Sequence, residues 1–405
     1  VSIDSITKEF EADKRIIHVP EKWKTVCTTK EALAEEKHMV ELAVQGKGKM
    51  RPLYTKEKEP KINLKGEQFE AVRHVLTTPH RVSIIRGRAG TGKTTLMKEA
   101  VNLIDKAGKK TIIVAPTAQA SRGVLKDEGF EGATTVADLL KNKELQNTLN
   151  GKVLWVDEAG LLGTKDMTSL IDLATKKNAR LILSGDTRQH ASVIRGDALR
   201  ILNTVGDIRS AEVSRIYRQK NESYKEAVQH LSEGQVKKGF DKLESINAIK
   251  SIDPLKPNET LVEDYVSTIK KGKSALVISP THKQGEETTE AIRQKLRAAK
   301  LIGKNETKVE RLVNLNFTSA EKTDIRNYKI GDVIQMNQNL KGIKRGSTWA
   351  VRSTKGDNLE IVDSNGRKMS IALDQSEKFN VFKKDEIGLS KGDKIRVTRN
   401  GFDAK

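Results

Sequence analysis

The chain has 405 residues, enough for two or three domains and at least one sizeable core. Charged residues make up 32%, hydrophobic residues 36%, and the formal net charge is +20. No apolar run approaches the roughly 18 residues that a membrane span needs, and the N-terminus lacks a signal-peptide layout, so the positive excess points to phosphate backbones rather than membrane.

Residues 1–27 carry no clear period. "TTKEALAEEKHMVELAVQGKG" then predicts a capped helix, with Thr28 and Glu31 at capping-box spacing and Gly46 as its stop. The basic stretch 47–61, with two prolines and no apolar period, reads as a linker. From Ile62 the pattern alternates: helical "GEQFEAVRHVL", strand-like "VSII", a glycine loop, a helix, "TIIVA", a helix, "VLWVDEAG", a helix and "RLILSGD". Such alternation predicts a mostly parallel sheet covered on both faces. A second cycle begins at Ser274 with "SALVISP" and a helix. Beyond about Asn314, "YKIGDVIQM", "STWAVRST", "NLEIVDSNGRKMSIAL" and "KGDKIRVTRN" are short alternating segments broken by turn residues, the pattern of a small antiparallel barrel or part of one. Cys27 is the only cysteine, which excludes an internal disulfide framework and suits a reducing cytoplasm. None of the seven histidines stands at metal-ligand spacing, so no structural zinc site is expected.

Chemistry concentrates between Gly87 and Gln189. Gly87-Arg88-Ala89-Gly90-Thr91-Gly92-Lys93-Thr94 matches G-x-x-x-x-G-K-[ST] between a strand and a helix, the setting in which backbone N–H groups cradle phosphates. Lys93 would reach the β- and γ-phosphates of ATP, and Thr94 would hold Mg²⁺ through its hydroxyl. "VLWVDEAG" closes a buried strand with Asp157, suited to the metal's shell, and Glu158, suited to activating water. Gln189 lies beyond a third strand's carboxyl end, where ligands of such sheets bind; its spacing alone equally fits an ordinary loop glutamine. Arg215 and Arg218 in "VSRIYRQ" are two candidates for a guanidinium on the transferring phosphoryl group. Among 74 Lys and Arg, composition does not choose between either of them and a surface role.

Taken together, Gln68 in "LKGEQFEAV", the loop 87–94, "APTAQASRGV", "TTVADLL", "VDEAG", "GDTRQHASV" and "IYRQ" resemble the ordered motifs of RecD-like, B-type superfamily 1 DNA helicases. "GDTRQHASVIRGDALRIL" and the helix upstream narrow the resemblance to the helicase portion of TraA/TrwC-type (MobF) conjugative relaxases, over about residues 25–400. The resemblance implies an α/β P-loop NTPase with RecA-like parallel-sheet domains and a small SH3-like β-barrel insertion. It divides the chain into a helical segment and linker (1–61), an ATP-binding domain (62–215), the first part of a second RecA-like domain (216–318, with Pro280 and Thr281 at its first motif) and the insertion (319–405). It implies that Gln68 reads adenine, and that Gly87, Gly90, Thr91, Gly92, Lys93, Thr94 and Thr95 hold ATP. Thr94 and Asp157 take Mg²⁺, Glu158 is the base, and Gln189 and Arg218 sense the γ-phosphate. Pro116, Thr117, Thr134 and Thr135 fall in segments that contact single-stranded DNA.

The implied activity is an ATP-driven, 5′ to 3′ single-stranded-DNA translocase of conjugative transfer. Its implied partners are a relaxase domain of the same parent chain and a type IV secretion coupling protein. Two features depart from the family: no histidine triad or tyrosine pair of a nicking site is present, and the closing helicase motifs are missing after "KGDKIRVTRNGFDAK". The chain therefore reads as a fragment with salt-sensitive DNA binding and weak ATPase activity. The competing reading is a degenerate helicase-like module that binds single strands without moving, against which the intact Lys93 and Glu158 argue. A small-molecule P-loop kinase would have no use for the "APT" and "TTVADLL" segments. Trp155 reads as core. Tyr328 and Trp349 are candidates for base stacking, although a core role suits them better where other large apolar groups are few.

Overall fold

Helix α1 (Ile3–Ala12) leads to a hairpin of β1 (Ile16–Glu21) and β2 (Lys24–Thr29), followed by α2 (Lys30–Gln45). The expected cap moves by one residue. Thr29, the last residue of β2, caps α2 by accepting the Ala32 N–H, Thr28 lies one place further into the hairpin, and Gly46 closes the helix. The computed structural model describes residues 2–87, 90–186, 196–216, 219 and 221–395, and the chain divides into two units, Val1–Lys250 and Ser251–Lys405.

The first unit continues with α3 (Gly66–Thr77), β3 (Val82–Gly87), α4 (Lys93–Lys106), β4 (Thr111–Ala115), β5 (Thr134–Thr135), α5 (Val136–Lys141), α6 (Lys143–Thr148) and β6 (Val153–Val156). It ends with α7 (Thr164–Lys176), β7 (Arg180–Gly185), α8 (Ala198–Thr204), β8 (Ser210–Val213), α9 (Glu222–Ser232) and α10 (Val236–Ser245). Its parallel sheet runs β5-β4-β6-β7-β3-β8. Both faces are buried, as the near-continuous apolar runs require. Along β6, Leu154 and Val156 join the core under α7, whereas Val153 and Trp155 join the opposite core with α3 and α4. A period of two therefore places every β6 side chain in one core or the other.

The segment read as a linker is fixed against this sheet. The N–H groups of Leu53 and Tyr54 donate to Leu76, and the Tyr54 hydroxyl donates to the Leu103 carbonyl at 2.8 Å. Two apolar side chains among charged neighbours suffice to dock it, without any helical or strand period for a sequence reader to detect.

Near the carboxyl end of α3, burial, and after it the Arg209 guanidinium, push His74 down to about 4. An unfolded histidine takes its proton near 6.5, so between those values the unfolded state binds more protons and stability falls with falling pH. By pH 5 the loss is about 2 kcal/mol for this group. Unfolding midpoints at pH 7.5 and pH 5 are expected to fall further in the wild type than in His74→Gln; equal falls would remove His74 as the cause.

The second unit begins with α11 (Glu259–Lys270) and α12 (His282–Ala298), then β9 (Glu306–Asn314), the short α13 (Ser319–Lys322), β10 (Val333–Met336), β11 (Thr348–Lys355), β12 (Asn358–Val362), β13 (Lys368–Ala372) and β14 (Phe379–Ser390). These strands form an antiparallel sheet in the order β13-β12-β11-β10-β14-β9, and among the described residues no ladder joins β13 to β9. Tyr328 and Trp349 lie in its core, 6% and 3% exposed. The Tyr328 hydroxyl donates to Lys322 O and the Trp349 indole to Ser347 Oγ. Neither ring faces solvent, so neither offers a base-stacking platform.

The strand expected at 274–279 is not formed: these residues lie outside any ladder, and Leu276 and Ile278 are 85% and 84% exposed. An apolar run becomes a strand only where a neighbour accepts its hydrogen bonds, and the described residues supply none. The helix expected after it is present as α12, capped by Thr281, whose side chain accepts from Gln284 N.

Candidate nucleotide and nucleic-acid site

The loop after β3 turns into α4 at Gly92, whose φ of +75° lies in the left-handed region that glycine enters without strain; Gly90 does the same at +79°. The turn aims the first N–H groups of α4 into the loop, a ready anion site. Lys93 opens the helix and its Nζ donates to the Gly87 carbonyl at 2.8 Å. Thr91 is buried, Thr94 half-buried and Thr95 exposed. Arg88 and Ala89, inside the loop, lie outside the described residues. Gln68, 8% exposed, donates from Nε2 to Thr91 O at 3.0 Å and to Gly92 O at 3.4 Å. Its amide nitrogen is thus tied to the phosphate loop.

The acidic pair follows β6. Strand β7 separates β6 from β3, and the register aligns Val156, Leu183 and Ile84, so Asp157 stands two strand spacings, about 10 Å, from the strand that carries the loop. Asp157 Oδ1 accepts from Ser184 Oγ at 2.8 Å, and Ser184 Oγ in turn accepts from the Trp155 indole at 2.8 Å. Glu158 adopts φ +52°, ψ +37°, a left-handed conformation that a non-glycine residue holds only under surrounding constraint. Two residues on, the chain after β6 passes close to Asp186: a Cβ at Gly160 would lie 2.7 Å from the Asp186 carbonyl. The β6 and β7 ends are thereby packed backbone to backbone.

Mg²⁺ suits this donor set. The ion is commonly held by one or two carboxylates together with substrate phosphates, and here a hydroxyl, Thr94, and a carboxylate already held on one oxygen, Asp157, stand at the carboxyl end of one sheet. Among the described residues no group of three or more His, Cys, Asp or Glu forms a metal cage.

Pro116 and Thr117 follow β4, and Thr134 and Thr135 form β5 beside it, with Val114 opposite Thr134 and Ala115 opposite Thr135. The structure thus brings the four DNA-contact candidates to one corner of the sheet. A π-helical stretch, Gln119–Leu125, follows Thr117; such turns recur at functional sites. The Thr134 hydroxyl donates to Asp138 at 2.7 Å, and Thr135 caps α5. Gln189 and Arg218 lie outside the described residues.

Two positioning side chains were not legible from motifs. Ser184 is a lone hydroxyl in the apolar run "RLILSGD", and its partner Asp157 lies 27 residues upstream. Glu67, beside Gln68, accepts from the N–H groups of Ser214 (2.6 Å) and Arg215 (3.0 Å) and from the Ser214 hydroxyl. Burial works to raise the Glu67 carboxyl, but these hydrogen bonds outweigh it and hold the group below its ordinary value. Glu67 therefore anchors the segment that leads into "IYRQ".

The family model for the AAA domain matches residues 63–254. The chain is 29% identical over 285 residues to the conjugal transfer protein TraA of Agrobacterium fabrum, covering 69% of this chain and 25% of that protein. It is 28% identical over 222 residues to the multifunctional conjugation protein TraI of Escherichia coli K12, covering 52% and 12% respectively. It is 31% identical over 147 residues to the ATP-dependent RecD2 DNA helicase of Deinococcus radiodurans, covering 35% and 20%. The chain thus spans a quarter or less of the length of each of these relatives. Among the described residues no helix is long and apolar enough to cross a membrane. Residues 63–254 accordingly match the AAA-domain family, within a chain similar to the TraA-type conjugal transfer proteins and, over a shorter stretch, to a RecD2 DNA helicase.

Proposed function

We propose that the first unit is the ATP-hydrolysing half of a motor that moves 5′ to 3′ along single-stranded DNA in conjugative transfer. The observation that carries this reading is the joint placement of Lys93 at the head of α4 and of Asp157 and Glu158 at the end of β6, two strands away on the same carboxyl edge. Lys93 binds the β- and γ-phosphates, Thr94 and Asp157 hold Mg²⁺, and Glu158 takes the proton of the attacking water. Gln189 and Arg218 sense the γ-phosphate. Gln68 reads adenine through its amide. Pro116, Thr117, Thr134 and Thr135 hold the DNA backbone at the adjoining corner, so cleavage and strand contact share one rigid sheet.

In this reading residues 216–318, apart from β9, belong to a second RecA-like domain, and the antiparallel sheet that includes β9 corresponds to the SH3-like insertion. The working context is cytoplasmic, with a relaxase domain and a secretion coupling protein as partners. Phosphate release with and without single-stranded oligonucleotide tests the core of it, and strand displacement from 5′- and 3′-tailed duplexes tests polarity. DNA is expected to stimulate hydrolysis, and the 5′ tail to support displacement. Hydrolysis indifferent to DNA would reject the motor.

A further inference from the structure

The opposite end of the same sheet holds an uncompensated cluster of cations. Arg180, the first residue of β7, is 2% exposed. Its guanidinium donates only to backbone carbonyls: Thr78 at 2.8 Å, His80 at 3.2 Å and Arg51 at 3.0 Å. Arg81, also buried, donates to the carbonyls of Ala174 and Ala179 and to the Asn178 side chain. Burial, and after it the neighbouring Arg81, push Arg180 down to about 10, so it is still charged at neutral pH. Above it opens a concavity of about 190 Å³ whose lining includes Lys49, Arg51, Lys109, Lys152 and Arg180 and no acidic residue.

Elsewhere on this unit several lysines do have a carboxylate beside them: Lys47 has Asp207, Lys110 has Asp105 and Lys176 has Asp172. Lys49, Arg51 and Lys152 have no carboxylate partner among the described residues. Five cations around one concavity with no acid among them concentrate positive potential there, which favours an anionic partner.

We infer that this surface, at the amino ends of β4, β6 and β7, is a second DNA-binding site that grips the phosphate backbone. Three features select a nucleic-acid strand. The cations come from four separate chain segments spread around the concavity, so they meet an extended polyanion rather than one point charge. No aromatic side chain lines the concavity, so bases have nothing to stack on and contact is confined to phosphates. The site is also a full strand length from the nucleotide loop and the four DNA-contact candidates, which stand at the carboxyl ends of the sheet. A backbone-only site accepts duplex as well as single strands. It does not rest on the motor reading, because none of its residues takes part in nucleotide chemistry.

The test uses the full chain and a blunt duplex, which offers no single-stranded tail. Affinity is measured between 50 and 200 mM salt for the wild type, for Lys49→Gln/Arg51→Gln/Lys152→Gln, and for the corresponding triple glutamate variant. Each lost phosphate contact lowers the slope of log affinity against log salt by about 0.9, so the glutamine variant is expected to flatten it by about 2.7, roughly a 40-fold difference across that range. Binding of a fluorescent ATP analogue reports folding; should the triple variants lose it, Lys49→Gln/Arg51→Gln carries the test with a flattening of about 1.8. Unchanged affinity and slope in a folded variant would overturn the inference. So would unchanged DNA binding alongside loss of binding to vesicles containing phosphatidylglycerol, which would give the surface to a membrane instead.

Discussion

Replacing Glu158 by glutamine is expected to leave ATP binding intact while slowing hydrolysis by about 10²–10⁴-fold, the usual range for loss of a general base. The two side chains are isosteric, and the strained backbone at φ +52° is unchanged by the swap, so geometry is preserved and only proton affinity is lost. Lys93→Ala is expected to behave differently. Its Nζ sits on the loop itself, 2.8 Å from Gly87 O, and its removal takes a positive charge from the phosphate site, so nucleotide affinity and hydrolysis fall together. Nucleotide anisotropy and phosphate release, measured on both variants, separate the two roles. A Glu158→Gln protein that hydrolyses ATP within a few-fold of wild type would remove Glu158 as the base.

Trp155→Ala is expected to cost the first unit about 3–5 kcal/mol, because a large side chain leaves a site that cannot collapse around the space. The indole is fully buried, between Ile113 of β4 and Ile182 of β7 in register. Trp155→Phe keeps most of the packing and removes the N–H donor to Ser184, for a cost of about 1–3 kcal/mol including the imperfect refilling. Denaturant midpoints followed on the first unit check the order Ala, Phe, wild type. The Phe variant carries a second readout: Ser184 also donates to Asp157, so a looser Ser184 is expected to weaken the Mg²⁺ dependence of hydrolysis more than nucleotide binding. Equal stability of Trp155→Ala and wild type would contradict the burial on which this rests.

The same residue shows where sequence reasoning stops. An apolar strand with a tryptophan two places before an acid is legible as core, and Trp155 is core. That its nitrogen reaches the acid through Ser184 depends on strand order, because β7 enters between β6 and β3 after a helix of 13 residues. The phosphate loop was legible for the opposite reason. Its chemistry is local, a strand end, two glycines in left-handed backbone and a helix start within a dozen residues. The helix α2 was legible to within one residue: its cap is Thr29, where the hairpin ends, and not Thr28.

Sequence by itself determined the alternating α/β pattern, the nucleotide loop, the acidic pair and the strong positive charge, since each is written in contiguous residues or in composition. Tertiary structure decided which strands are neighbours, and with that the alignment of Asp157 with the loop strand, the anchoring of 214–215 by Glu67, and the docking of the 47–61 segment. It also decided that residues 274–279 stay outside any ladder and that Lys49, Arg51, Lys109, Lys152 and Arg180 meet at one end of the sheet. Pairing and charge clustering are properties of distant segments brought together, and no local period records them.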